Sequence, residues 1–144
     1  MKILFCASEA APFAKTGGLA DVIGALPKAL KEKSCDTRVI MPYYKKIKEK
    51  NIAQYKGYAY VKIADRMEYL GVFETTYDDV TFYFIDSDRY FNRDALYGYG
   101  DDGERFAFFD FAILEALKVV NFFPNILHLN DWQTGLVPYI LKTN

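Results

Sequence analysis

The chain has 144 residues, 51% of them hydrophobic and 17% aromatic, and a formal net charge of -1. That length suits one domain with a sizeable core, and the composition excludes a disordered chain. Near-neutral charge argues against nucleic acid as the main partner, and no apolar run is long enough to span a bilayer.

The first residues, MKILFCASEAAP, place only a few apolar side chains before Glu9, too few for a secretory signal. KILFCAS (2–8) reads instead as a buried strand bounded by turn residues. Cys6 lies within it and Cys35 is the only other cysteine. Neither a disulfide scaffold nor a metal cluster follows, and two free thiols fit a cytoplasmic protein.

Next comes EAAPFAKTGGLADV (9–22), in which a lysine and two adjacent glycines join the strand to a helix. Two readings are open. The glycines serve a turn whose backbone other residues resist, or glycine amides and Lys15 face an anion at the helix N-terminus. The pattern fits neither G-x-G-x-x-G nor the P-loop, where the lysine follows the glycines. From Gly18, the residues Leu19, Val22, Ile23, Leu26 and Leu30 recur at helical spacing on one face. Asp21, Gly24 and Lys28 fall on the other side, and Pro27 is expected to kink or locally loosen the helix. Asp21 in the first turn complements the helix dipole.

DTRVIMPYY (36–44) reads as a second strand, which completes a right-handed βαβ unit with a parallel pair. AYVKI (59–63) follows, then EYLGVFETTYDDVTFYFID (68–86), read as an antiparallel hairpin turning at Asp78 and Asp79. SDRYFNRDALYGYGDDGERF (87–106) has no period and many turn formers, so it is a long loop. Its aromatic residues suit sugar stacking or a packed Ω-loop. Asp101 and Asp102 are placed to cap the helix GERFAFFDFAILEALKVV (103–120). On that helix Phe106, Phe109, Ile113, Leu117 and Val120 form an apolar stripe widened by Phe108, Phe111 and Leu114. NILHL (125–129) reads as a buried strand. QTGLVPYILK opens a last helix capped by Asn130 or Asp131.

Charge is segregated along the chain. Residues 28–50 hold eight basic and three acidic residues, and residues 78–104 hold two basic and eight acidic ones. Most of this is solvated surface. The expected fold is α/β and Rossmann-like: a mostly parallel sheet with an antiparallel hairpin and ligand-facing loops after the first and fourth strands. His128 is the only histidine, and on a buried strand it reads as a core residue. A triad of His128 with Ser8 and Asp131 is disfavoured because no G-x-S-x-G elbow exists, and a zinc site would lack ligands.

Taken in order, SEAAPFAKTGGLADVIGALPKAL, TRVIMPYY, FYFIDSDRYFNRDALYG, ERFAFF and LHLNDWQTGLVPYILK resemble the amino-terminal signature and following motifs of bacterial glycogen synthases and plant starch synthases. The resemblance implies the GT-B fold, two Rossmann-like domains facing across a cleft. It implies retaining transfer of glucose from ADP-glucose to the non-reducing end of an α-1,4-glucan such as glycogen, with no metal and no cofactor. By the same resemblance, Lys15 contacts the donor phosphates, while Gly17 and Gly18 let the backbone approach the sugar and phosphates.

Asp21 and Asp101 match the family's polar residues in the cleft. The family often has H-x-H-D-W where this chain reads HLNDW. His128 matches the first histidine, and Asn130 takes the place of the second, which contacts the donor glucose. An asparagine amide can bind a sugar hydroxyl but takes no charge. The resemblance thus gives Asp21, Asp101, Asn130 and His128 as catalytic candidates, and Lys15, Gly17 and Gly18 as ADP-glucose-binding ones.

Residues 1–144 then form part of an N-terminal domain. The C-terminal nucleotide-binding domain of the parent is absent, and the fragment alone is expected to be inactive. The alternatives are another GT-B transferase, or a non-catalytic glucan- or nucleotide-binding module. A deviant P-loop ATPase is disfavoured by the reversed order of lysine and glycines.

Overall fold

In the computed structural model, which describes residues 1–143, the elements run β1 (Lys2–Cys6), α1 (Gly18–Lys31), β2 (Asp36–Pro42), α2 (Lys45–Glu49), β3 (Gln54–Ile63), β4 (Arg66–Tyr77) and β5 (Val80–Asp86). After them come α3 (Asp102–Val120), β6 (Ile126–Leu129), a 3₁₀ turn (Trp132–Thr134) and α4 (Val137–Thr143). The strands form one sheet in the order β3-β4-β5-β2-β1-β6. β1 pairs in parallel with β2 and β6, and β5 pairs in parallel with β2. β4 is antiparallel to both β3 and β5. The mixed, mostly parallel α/β sheet is the one expected.

β1 lies between two neighbours, which is why its residues Leu4, Phe5 and Cys6 are apolar without alternation and fully buried. The β4–β5 hairpin turns on two residues, Asp78 and Asp79, both at positive φ (49° and 66°). A two-residue turn of that hand matches the twist of its strands, and aspartate is among the few residues that tolerate it. The crossover through α1 and the one through α3 travel in opposite directions across the sheet. Right-handed connection therefore places the two helices on opposite faces. α3 presents Phe106, Phe108, Phe109 and Ile113 to the core, each fully buried or nearly so. Burying a side chain of this size is worth about 1.5–3 kcal/mol.

Several local expectations are corrected. On α1 the buried residues are Ala20, Ile23 and Pro27, whereas Val22 and Leu26 are exposed. The reason is that residues 10–14 fold back onto the helix, and the Ala11 N–H donates to the Ala20 carbonyl at 2.9 Å. Gly24 faces that loop rather than solvent: a Cβ there would stand 3.2 Å from both Cβ and O of Ala11.

β6 is an edge strand paired only with β1, so Ile126 and His128 are exposed rather than buried. The last helix is split by the 3₁₀ turn, and neither Asn130 nor Asp131 caps with its side chain. The Thr134 hydroxyl bonds the carbonyls of both instead, each at 3.2 Å. β3 starts at Gln54, with a bulge between Tyr55 and Gly57, and α2 was not foreseen. Among the described residues no helix is long and apolar enough to cross a membrane.

Candidate functional site

The carboxyl ends of β1, β2, β5 and β6 open onto one edge of the sheet, and the loops that leave them meet around Glu9. This carboxylate is buried and accepts four hydrogen bonds. Oε2 takes the backbone N–H groups of Thr16 (2.8 Å) and Gly17 (3.2 Å). Oε1 takes the hydroxyls of Thr16 (2.6 Å) and Tyr97 (2.7 Å).

An ionised carboxylate only accepts, so the single proton of Tyr97 goes to Glu9. The Ser8 hydroxyl, 2.6 Å away, therefore donates to Tyr97. The Tyr44 hydroxyl in turn donates to the Ser8 carbonyl at 2.7 Å. Burial alone would raise the Glu9 pKa. The bonds from Thr16, Tyr97 and Gly17 outweigh it and hold the carboxyl below its usual range.

Glu9 thus fixes the K-T-G-G loop from inside, and this corrects one expectation. The Gly17 amide faces this internal carboxylate rather than an external anion. The turn reading also fails. Gly17 has an extended backbone (φ −166°) that any residue adopts. Gly18 opens an ordinary helix, and a Cβ built on either glycine meets nothing within 4 Å. Neither backbone geometry nor packing within the chain explains this pair of glycines. Lys15 and Asp21 pair with each other at 2.8 Å, their side chains 56% and 60% exposed. Such a surface pair is worth at most about 1 kcal/mol.

The loop at 87–101 is packed around Arg105, which has no exposed surface. Its guanidinium donates to the carbonyls of Tyr90 (2.7 Å) and Leu96 (2.9 Å) and to Asp102 (2.8 Å). It also lies 5.0 Å from the Tyr99 ring centroid and 5.3 Å from that of Phe106. Asp102 accepts the N–H groups of Gly98 (2.9 Å) and Tyr99 (3.3 Å) and so closes the loop onto α3.

Asp101 occupies the N-cap position but makes no side-chain cap bond. Its two oxygens take a fork from Arg93 at 2.6 and 2.8 Å, which holds the carboxyl below its ordinary range. Arg93 is itself braced by the Arg89 carbonyl (2.7 Å) and by the Tyr99 ring, 4.8 Å away.

At the end of β6 the Asn130 amide donates to the carbonyls of Cys6 (3.0 Å) and His128 (3.1 Å). Both donors are spent, so only its Oδ1 is left to bind a ligand, as an acceptor. Asp131 follows at φ 63°, ψ −178°, a region nearly reserved for glycine that costs about 1–3 kcal/mol. Next to it the Trp132 indole stands largely exposed, edge-on to Phe106 at 5.5 Å. The His128 ring packs on Phe5 at 4.5 Å.

The structure therefore joins Lys15, Gly17, Gly18 and Asp21 in one loop and helix start. Glu9 and Tyr97 tie that unit to the aromatic loop, and Cys6 ties Asn130 to the end of β1. Asp101 is engaged with Arg93 instead, and His128 with Phe5. Sequence reasoning passed over Glu9, Arg93, Tyr97 and Arg105. The one signal for Glu9 was an acid standing alone between an apolar strand and the K-T-G-G loop.

Residues 2–144 match the family model described as the starch synthase catalytic domain. A glycogen synthase of Clostridium perfringens is 53% identical over 144 residues, covering 99% of this chain and 30% of its own length. One of Lactococcus lactis is 51% identical over 147 residues, covering 99% and 31%. The chain thus spans about a third of the length of these relatives. Among solved structures, the catalytic domain of starch synthase IV from Arabidopsis thaliana, bound to ADP and acarbose, superposes with a TM-score of 0.80. The identity is 29%, over 98% of this chain and 30% of that one. With a family match across nearly every residue and the same sheet underneath it, the chain belongs to the starch synthase catalytic domain family.

Proposed function

We propose that this chain forms one wall of the active site of a glycogen synthase, which transfers glucose from ADP-glucose to the non-reducing end of an α-1,4-glucan with retention. The observation that carries the reading is the open space above Gly17 and Gly18. Two adjacent glycines with unstrained backbones and nothing over them are accounted for by a ligand that lies against the main chain. The solved relative, bound to ADP and acarbose, supports a nucleotide and an oligosaccharide as the occupants.

In this reading Lys15 leaves its weak surface pair with Asp21 and meets the departing diphosphate, where preorganised positive charge lowers the barrier. Asp21, released, accepts from a sugar hydroxyl. Asn130 Oδ1 does the same from the floor of the site, and His128 lines the edge beyond it. Asp101, neutralised by Arg93, orders the acidic loop beside the cleft. Glu9 keeps the lysine-glycine loop in one shape before and after binding, so no reorganisation is spent on it.

The remaining positive charge and the opposite wall belong to a second domain outside this chain, and the fragment alone does not turn over. The work is cytoplasmic, in keeping with two unpaired cysteines. The test is an amide NMR titration of the chain with ADP-glucose. Shifts are expected at Gly17 and Gly18, abolished by Lys15→Ala and by Gly18→Val. Shifts confined to other residues overturn the reading, and glucan elongation by the fragment overturns its inactivity.

A further inference from the structure

Behind Asn130 and Asp131 lies a buried carboxylate that the site above does not use. Asp110, on α3, is 1% exposed. Its Oδ2 accepts the Leu136 N–H at 3.0 Å, while its Oδ1 has no hydrogen-bond partner among the described residues. Gln133 stands on the 3₁₀ turn packed against α3, and its Oε1 is likewise buried without a partner. Asp110 and Gln133 thus bring three acceptor oxygens to this contact, and one N–H meets them. Buried acceptors are normally bonded, and a protonated carboxyl supplies the donor that is missing here. Burial pushes the Asp110 pKa up to about 7, so the change of form falls near neutral pH.

Leu136 closes the segment 130–136, which carries Asn130, Asp131 and Trp132. At its front, the Asn130 N–H and side-chain amide both donate to the Cys6 carbonyl, at 3.2 and 3.0 Å. Within it, the Gly135 N–H donates to the Trp132 carbonyl at 2.9 Å, beside the Thr134 bonds already described. At its rear stands Asp110, among the described residues the one side chain outside the segment that hydrogen-bonds it. The backbone of Asp131 (φ 63°, ψ −178°) persists only where its surroundings over-determine it. Of the two anchors, the Cys6 carbonyl cannot change state with pH, and Asp110 can.

Other charges near α3 are already engaged or point away. The sheet beneath it brings Cys6, whose thiol is pushed up by burial and by Asp110 itself. It also brings Arg38 bonded to Tyr83, Glu74 beside them, and Glu68 held by Arg66 and Arg89. The 3₁₀ turn adds no titratable side chain, and Tyr139 and Lys142 on α4 are exposed. On α3 itself Arg105 is paired with Asp102, and Glu115 with Lys118.

We propose that Asp110 is a positioning residue of the transfer site: in its acid form it pins Leu136 and keeps Asn130 and Asp131 in place, and it gives up that hold when its proton leaves. That this floor serves glucose transfer rests on the proposed function; that Asp110 holds it does not. A raised carboxyl pKa gives the sign. The hold is complete in acid and is lost as pH climbs through about 7.

The experiment follows the chain by NMR from pH 5 to pH 9, reading the Leu136 amide, the Asn130 side-chain amide and the Trp132 indole N–H. In wild type the three should move together, with one midpoint near pH 7. Asp110→Asn, which keeps an acceptor for Leu136 and supplies its own donors, should hold them at their acid positions throughout. Asp110→Leu should quicken Leu136 hydrogen exchange about tenfold at pH 5, while melting shows that the variant is folded. Histidine is the residue that most often changes charge near neutrality, so His128→Gln is the control, and the transition should persist in it. Calorimetry with ADP-glucose gives the second readout. Wild type should bind about threefold more weakly at pH 8.5 than at pH 6, and Asp110→Asn equally at both.

A transition that survives in Asp110→Asn or vanishes in His128→Gln overturns the inference. So does unchanged Leu136 exchange in Asp110→Leu. Loss of ADP-glucose binding by wild type at every pH overturns the transfer reading instead, and the NMR arm still decides whether Asp110 holds the segment.

Discussion

Glu9 offers the sharpest test of how the K-T-G-G loop is held. Replacing it with Gln keeps the shape of the side chain and removes its charge. The Gln carbonyl can face the Thr16 and Gly17 amides while its NH₂ group faces the Thr16 and Tyr97 hydroxyls, which can rotate to accept. All four bonds then survive as neutral ones. Bonds to a charged group are worth about 1.5–3 kcal/mol and neutral ones about 0.5–1.5. Four such losses, partly recovered because Thr16 and Gly17 border water, leave a destabilisation of about 2 kcal/mol at pH 7.

At this chain length that lowers the melting temperature by roughly 6 °C. Acidification gives a second handle. Because the folded Glu9 titrates below its ordinary value, its contribution is complete above the unfolded carboxyl pKa and is lost as pH falls through the folded one. The gap between wild type and Glu9→Gln should therefore close below about pH 4. Hydrogen exchange at the Thr16 and Gly17 amides should quicken in the variant at pH 7. A gap under about 0.5 kcal/mol at neutral pH, or one that persists unchanged at low pH, refutes the account.

Asp110, buried on α3, has its pKa pushed up to about 7 by desolvation, against one bond from the Leu136 N–H at 3.0 Å. A raised carboxyl pKa means that stability falls as pH climbs from about 4 through 7, so Asp110→Asn should gain about 3 kcal/mol over wild type in urea unfolding at pH 8 and much less at pH 5. Arg105→Lys removes the fork that holds the Tyr90 and Leu96 carbonyls, and it should lose about 3 kcal/mol and open residues 87–101 to limited proteolysis. Asp101→Asn loses only a partly exposed pair with Arg93, so melting should drop by the equivalent of about 1 kcal/mol or less, while under the proposed function turnover of the parent glycogen synthase should fall much further. Equal losses of stability and turnover would assign Asp101 to the scaffold alone.

What could be read in the sequence was local, and what could not was set by residues far apart in it. The apolar run of β1, the hairpin around Asp78 and Asp79, and the phenylalanine-rich α3 are decided within a few residues, and each forms close to where its pattern places it. The buried face of α1 was misread because it depends on residues 10–14 folding back, and a periodic pattern cannot report that. β6 was misread because burial of a strand depends on having two neighbours, and here it has one. Glu9 and Tyr97 are 88 positions apart, and Arg105 gathers its acceptors from across a loop that has no period at all.

The glycine pair shows the difference most directly. As letters, K-T-G-G fits a strained turn and a ligand wall equally well, because glycine serves either. An extended φ at Gly17 and empty space above both residues remove the first explanation. The Gly17 amide, pointed at Glu9, narrows the second. Under the proposed function, the backbone around these glycines is a surface for close approach, held from behind by Glu9, and the positive charge that an anion requires comes from the Lys15 side chain and from the proposed second domain.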